Sequence, residues 1–425
     1  MTEPPTPEDV PAAATVPDAP DAPDAPTRRP FALLRRRPVQ GAAAGLLVIG
    51  TAAALLATAP AGSSTPQPPG AALSVNTASC GQAPAQLPAG PVSFSVTNTS
   101  DVYVSVYVVS ADAKLAYAEI PWLGPKRTLP LATTLTGGSY AVRCVFSSGP
   151  VQTTGTIAVT GTAAGAVRGY LPMNDMDLSA PVTAYRAYVS AALPELLAAV
   201  QTLDGDLARG DLDAARADWL TAHLAYERLG AAYGSFGDFD SAMNGMAGGL
   251  AQGVDTPGWT GFFALEHGLW HGARPDQLRP ISRRLVTDAA GLIEDFPSED
   301  TDPGTLPLRA HEILENALQF QLGGIADYGS GSTLATLQAN VQGTEEVLSV
   351  LAPLIQPRDP GLLTRLQQQL PVLEHAVDAF KKPSGGWTPV AQLPAGQRRA
   401  LDGQVGALLE QLAAVPNLLT PRNHA

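Results

Sequence analysis

The chain has 425 residues, enough for two ordinary domains that each bury a core. Hydrophobic residues make up 45% and charged residues 15%, and alanine and leucine crowd the second half, which favours helices. The formal net charge of -13 excludes a nucleic-acid binder, because phosphate contacts need a basic surface, and it suits a protein that meets cations.

Residues 1–38 form a Pro/Asp/Ala-rich tail with repeated Asp-Ala-Pro, too poor in apolar residues to fold. Its basic cluster, Arg28, Arg29, Arg35, Arg36 and Arg37, precedes an apolar segment at residues 39–59. Within it, Gly41 to Ala59 runs for nineteen residues without a charge, just long enough to span a bilayer. The arginines before it place the N-terminus in the cytoplasm. One reading is an uncleaved transmembrane anchor. The other is a signal peptide cut near Ala57-Thr58-Ala59, and Thr27-Arg28-Arg29-Pro30-Phe31-Ala32-Leu33 looks like a twin-arginine signal. Both export the rest of the chain. No cysteine ends the apolar run, which argues against a lipoprotein.

Residues 60–73 read as a linker, with Gly62 to Gly70 rich in Ser, Pro and Gly. From residue 74 to 161 the period is two: Val92, Phe94 and Val96; Val102, Val104, Val106 and Val108; Tyr140, Val142 and Cys144; Ile157 and Val159. Pro88-Ala89-Gly90, Asn98-Thr99-Ser100, Gly137-Gly138 and Ser147-Ser148-Gly149 supply turns between them. Such runs predict an N-terminal antiparallel β-sandwich of about ninety residues. The two cysteines, Cys80 and Cys144, both lie in the exported part, where an oxidising compartment favours a disulfide between them.

Beyond about Ser179 the period becomes 3.6, which predicts an all-α helical bundle across residues 165–420. The helical stretches are 181–207, 211–233, 261–272, 281–296, 308–323, 332–354, 361–380 and 396–418. Gly210-Asp211 separates the first two, with Asp211 as N-cap.

All six histidines lie at or beyond His223, so the β domain cannot hold a blue-copper centre of two imidazoles and a thiolate. Glu119, in an otherwise apolar stretch, is its candidate hard ligand. In the helical part His223 and Glu227 stand at i,i+4 on one helix face, and Asp238 and Asp240 follow from an expected loop. Glu266 adjoins His267, with His271 one turn further. Carboxylates and imidazoles on facing helices are how bundles build metal sites. Taken singly, each pair is as readily a surface contact or an incidental one. Glu266 precedes rather than follows His267, so this is no HExxH zincin helix, and no nucleophile elbow, Walker loop or dinucleotide fingerprint occurs.

Several ordered segments resemble the EfeO family of iron-uptake components. Ala225-Tyr226-Glu227-Arg228 with Ser235 to Asp240 resembles that family's YER and SFGDLD segments, and Gly258 to Glu266 with Leu269-Trp270 its TGFHxxE and LW segments. Arg309 to Asn316, Asp327 to Ser330 and Gln338 to Gly343 resemble the long stretch ending in QANVxG. Ala89 to Phe94, Glu119-Ile120-Pro121 and Gly138 to Cys144 are similar to the family's cupredoxin-like domain with its Cys pair. The resemblance implies a cupredoxin-like sandwich followed by an imelysin-like bundle, also classed as peptidase M75. It further implies an extracytoplasmic, envelope-associated protein that binds iron, as Fe2+ or Fe3+ with copper or zinc as alternatives, beside a membrane permease and a haem peroxidase.

Three ligand positions implied by the resemblance are altered. The His of HxxE falls at Phe263, the second Glu of ExxE at Gly230, and an Asp at Asn244, while Glu227 and Glu266 remain. Either the metal site is rebuilt from Glu227, Glu266, His223, Asp240, His267 and His271, or metal binding is lost and the chain is a scaffold of the uptake system. Because His267 points about 100° from Glu266 around a helix, His223 or Asp240 is the better partner for Glu266. A metallopeptidase of the M75 type is the enzymatic alternative, weakened by the broken HxxE.

Overall fold

The computed structural model describes residues 71–383 and 386–421. The tail, the anchor-or-signal segment and most of the linker lie outside the described residues. Among those described, no helix is long and apolar enough to cross a membrane.

The period-two half forms nine strands: β1 Ala72–Val75, β2 Gln86–Pro88, β3 Gly90–Asn98, β4 Val104–Ser110, β5 Ala116–Leu123, β6 Thr128–Leu135, β7 Gly138–Phe146, β8 Gln152–Thr153 and β9 Ile157–Thr160. One sheet has the order β1-β3-β6; the other runs β2-β9-β7-β4-β5, with β8 on β7. Val92, Phe94 and Val96 of β3 meet Val106, Val142 and Cys144 of the second sheet in a single core, as the alternation predicts. Two pairings, β1 with β3 and β2 with β9, are parallel rather than antiparallel. The chain leaves β1, visits the other sheet as β2 and returns as β3, and this excursion lets β1 and β3 run the same way.

The alternation also understates burial in β4. Tyr107 and Val109 on its outer face are buried against Ala141 and Val145, with Tyr170 packed on them. Tyr170 belongs to the segment leading into the helices, and its backbone pairs with Ala116. Cys80 and Cys144 are joined by a disulfide across a sequence separation of 64, with Cα atoms 5.7 Å apart.

The second half contains α1 Ser179–Arg209, α2 Leu212–Glu227, α3 Asp238–Asn244, α4 Gly261–Trp270, α5 Pro275–Asp295, α6 Thr305–Asn316, α7 Thr333–Ile355, α8 Pro360–Asp378, α9 Ala395–Leu412 and α10 Ala414–Leu418. Gly210 ends α1 in the left-handed conformation (φ 74), which glycine adopts without steric cost. The Asp211 carboxylate accepts from the Ala214 amide 3.1 Å away and caps α2. Helix α2 stops earlier than its periodicity suggests and passes into a 3-10 turn, Gly230–Ser235. Asp238 and Asp240 are not in a loop but in the first turn of α3, where a helix N-terminus favours negative charge.

Helix α7 packs on α2, α6 and α8 and so forms the spine of the bundle. A Cβ added at Gly343 of α7 would stand 2.7 Å from the Arg228 carbonyl oxygen, so only glycine lets α7 pass this close to the end of α2. That approach carries Asn340, one turn earlier, to the Glu227 carboxylate.

Loss of the disulfide tests the independence of the two halves. Replacing Cys80 and Cys144 by alanine releases the 64-residue separation in the unfolded chain and should cost the β domain about 4 kcal/mol. Denaturant unfolding followed by near-ultraviolet circular dichroism should show an earlier β transition beside an unchanged helical one. Coincident, unshifted transitions would contradict this.

Candidate functional site

Helix α2 presents His223 and Glu227 inward, and both are almost fully buried at 2% and 3% exposure. A carboxylate so buried requires compensating donors. Glu227 Oε2 accepts from Asn340 Nδ2 of α7 at 2.9 Å, and Oε1 accepts from Asn244 Nδ2 at the end of α3 at 3.0 Å. His223 Nε2 stands 3.1 Å from the same Oε1. It lies off the line a ring N–H would take, and neither ring nitrogen completes a hydrogen bond within the described residues, so this contact is electrostatic. Burial pushes the Glu227 carboxyl up, but His223, Asn340 and Asn244 outweigh it and hold the group below the usual carboxylate range. The imidazole itself is boxed by Trp219, Phe262 and Phe263, with ring centroids 5.0, 5.2 and 5.3 Å away.

Glu227 borders a cavity of about 140 Å³. Asp240 and Glu312 add two further carboxylates, and Asn244, Gln321 and Arg309 are among its other polar lining residues. The Tyr226 hydroxyl donates to Asp240 at 2.7 Å. Burial, aided by the nearby Glu227 charge, raises the Asp240 carboxyl despite that bond. Arg309 Nη1 pairs with Glu312 Oε2 at 2.6 Å across one turn of α6. Two amide oxygens, Asn244 Oδ1 and Gln321 Oε1, are buried without a hydrogen-bond donor among the described residues. Phe263, Gly230 and Asn244, the three altered ligand positions, all border this same cavity. A side chain at Gly230 would begin 3.2 Å from Ile313 Cγ1, tighter than ordinary packing allows, so Ile313 has closed over that position.

Glu266 faces a different wall. Its Oε1 accepts from the Tyr328 amide at 3.1 Å, the Ser330 amide at 3.0 Å and Ser330 Oγ at 2.5 Å, while Oε2 is buried without a donor. Burial raises this carboxyl, and the Ser330 contacts only partly offset it. His267 and His271 lie outside the cavity, stacked with ring centroids 4.3 Å apart, on an open groove of about 570 Å³. Glu119 is half-buried on β5 in the other domain and accepts from the Tyr170 hydroxyl at 2.9 Å. The sequence-derived set therefore divides. His223 contacts Glu227, and Glu227 shares a cavity with Asp240; Glu266 does not line that cavity; the His267–His271 pair and Glu119 are elsewhere. Among the described residues, no three His, Cys, Asp or Glu side chains converge closely enough to hold a bare metal ion. The cavity's oxygen donors are spread instead around a space for several waters, each needing about 10–15 Å³ of such volume.

Tyr226, Arg309, Glu312, Gln321, Asn340 and Ser330 complete these contacts and were not legible as site residues. All but Gln321 fall within the segments that carry the family resemblance, and that membership was the available signal.

The raised Glu266 carboxyl has a defined pH signature. A group whose folded pKa exceeds its unfolded one stabilises the fold fully below the unfolded pKa and loses that contribution as pH rises through the folded pKa. Wild type should therefore gain stability relative to Glu266→Gln on acidification through the carboxylate range, as read by denaturant midpoints at several pH values. A difference independent of pH would contradict the assignment.

The imelysin family profile (peptidase M75) matches residues 181–415. The iron uptake system component EfeM of Pseudomonas syringae pv. syringae (strain B728a) is 24% identical over 240 residues, 56% of this chain and 84% of that protein. The iron uptake system component EfeO of Escherichia coli (strain K12) is 25% identical over 299 residues, 70% of this chain and 78% of that protein. The EfeO match is longer than the profile match and so extends beyond it. A solved structure of an iron-regulated protein A precursor from Parabacteroides distasonis aligns with a TM-score of 0.45 at 13% identity, covering 59% of this chain and 96% of that one. Helical body, ordered motifs and profile agree: the chain belongs to the imelysin (peptidase M75) family and is of the EfeO kind.

Proposed function

We propose that this chain is an extracytoplasmic component of an iron-uptake system that takes iron as cargo in the cavity beside Glu227 and passes it to a membrane permease, alongside a haem peroxidase. The names of the EfeO and EfeM relatives support a role in iron uptake. The observation that carries the cavity assignment is its lining. Glu227, Asp240 and Glu312 face one space with two amide oxygens that lack donors, and hard cations prefer oxygen ligands. The three altered positions remove direct ligands, and Asn244 and Asn340 occupy the Glu227 oxygens with donors. The iron is therefore held with part of its water shell, through carboxylates and amide oxygens, rather than in a closed cage. Such a site binds more weakly than a full ligand set and releases its cargo readily.

Binding rather than catalysis fits Glu266, whose proximal oxygen is saturated by Ser330 and Tyr328 and whose other oxygen is buried. A general base must reach the proton it abstracts, and this one faces neither the cavity nor solvent. The apolar segment at residues 39–59 supports placement in the cell envelope, whether as anchor or signal.

Calorimetric titration of the full-length chain with Fe2+ under anaerobic conditions, and with chelated Fe3+, tests the assignment. Asp240→Asn and Glu312→Gln should each weaken iron binding by about tenfold or more, equivalent to about 1.4 kcal/mol, with the fold intact. Unchanged affinity in both variants would move iron out of this cavity. No binding by wild type would leave the chain as a scaffold of the system.

A further inference from the structure

The last turn of α4 carries a second arrangement of ligating groups, independent of the cavity. His267 and His271 stand one turn apart with ring centroids 4.3 Å apart and planes inclined by 24°, so the two imidazoles lie face to face. His271 Nδ1 lies 2.9 Å from the His267 carbonyl oxygen. A carbonyl only accepts, so Nδ1 carries the hydrogen in this contact, and Nε2 is the nitrogen of the neutral ring that offers a lone pair. The His267 ring makes no hydrogen bond within the described residues. A fixed tautomer, with one nitrogen tied to backbone and the other bare, is the usual state of a metal-ligating histidine.

The pair opens on the groove of about 570 Å³, which also contains Asp327 and Gln392. Asp327 Oδ1 accepts from the Gly329 and Gly331 amides at 2.9 and 3.1 Å, which fixes the loop against the rings. A Cβ at Gly329 would stand 3.0 Å from His271 Cε1, so the absence of a side chain there lets the loop close on the ring. The loop carboxylate adds negative charge to the groove, and imidazole donors suit borderline divalent ions better than hard ones.

We propose that His267 and His271 form a surface site for a borderline divalent ion such as Cu2+, Zn2+ or Ni2+, bound by two imidazole nitrogens with water completing the shell. This site differs from the iron cavity in location, donor type and metal preference, and it stands whether or not the cavity binds iron.

Cu2+ titration of the full-length chain, read by electron paramagnetic resonance and by calorimetry, tests it. Wild type should show hyperfine coupling to two imidazole nitrogens. His267→Gln and His271→Gln should each remove one coupled nitrogen and weaken Cu2+ binding by about tenfold or more. Asp240→Asn should leave the copper spectrum unchanged, which separates this site from the cavity. Thermal melts of both histidine variants should match wild type, since His271 is exposed and His267 half-exposed. Two-nitrogen coupling and wild-type affinity in either histidine variant would overturn the proposal, as would a wild-type spectrum without imidazole coupling.

Discussion

One buried carboxylate, that of Glu227, ties three helices of the bundle together. Glu227 sits at 3% exposure near the end of α2, and ionised groups at such depth are tolerated only when neighbours supply donors. Asn244 from α3 and Asn340 from α7 meet that demand, and His223 adds an electrostatic contact from one turn earlier. Removing one partner of such a buried set typically costs about 3–5 kcal/mol, so the three helices are held in register by the need to keep this carboxylate satisfied. Gly343 makes the contact possible by letting α7 approach the end of α2. The cavity beside Glu227 follows from the same arrangement, because α3 is pinned by Asn244 while its first turn brings Asp240 to the opposite wall.

The altered positions have consequences that packing makes hard to reverse. Phe263 packs edge-on to His223 and tilted against Tyr328, with centroids 5.3 Å from each, and borders the cavity, whereas Glu266 does not. Ile313 closes over Gly230. Asn244 turns a donor toward Glu227 and leaves its oxygen free. The effect is to replace direct ligands with an oxygen-lined chamber. In the proposed function such a chamber keeps a charge preference for cations while giving up tight coordination.

Much of the fold was readable in the sequence because periodicity reports burial. The strands around Phe94 and Val142 and the long helices α1, α5, α7 and α8 follow their patterns closely. The short helix α3 did not, since seven residues beginning Asp-Phe-Asp carry too little period to distinguish from a loop. The parallel pairings of β1 and β2 were equally hidden, because crossing between sheets leaves no mark on alternation. Within the site, His223 and Glu227 were legible as a pair on one helix face. The expected pairing of Glu266 with His223 or Asp240 is not a hydrogen bond in the fold, since Glu266 bonds to Tyr328 and Ser330. Asn340 and Gln321 were not legible at all. Neutral amides become significant only once the fold shows which buried charge they meet or which oxygen they leave bare. Spacing did separate Glu266 from His267 by about 100° around α4, and the two side chains meet different surroundings, Glu266 the Ser330 amide and His267 the open groove.

The proposed iron site beside Glu227 can be observed directly. Anomalous diffraction at the iron absorption edge, from crystals of the chain equilibrated with iron, locates the cargo directly. A peak bounded by Glu227, Asp240 and Glu312 is expected, with ordered water between metal and at least one carboxylate. A peak at any other position in the helical body, with none in this cavity, would contradict that site.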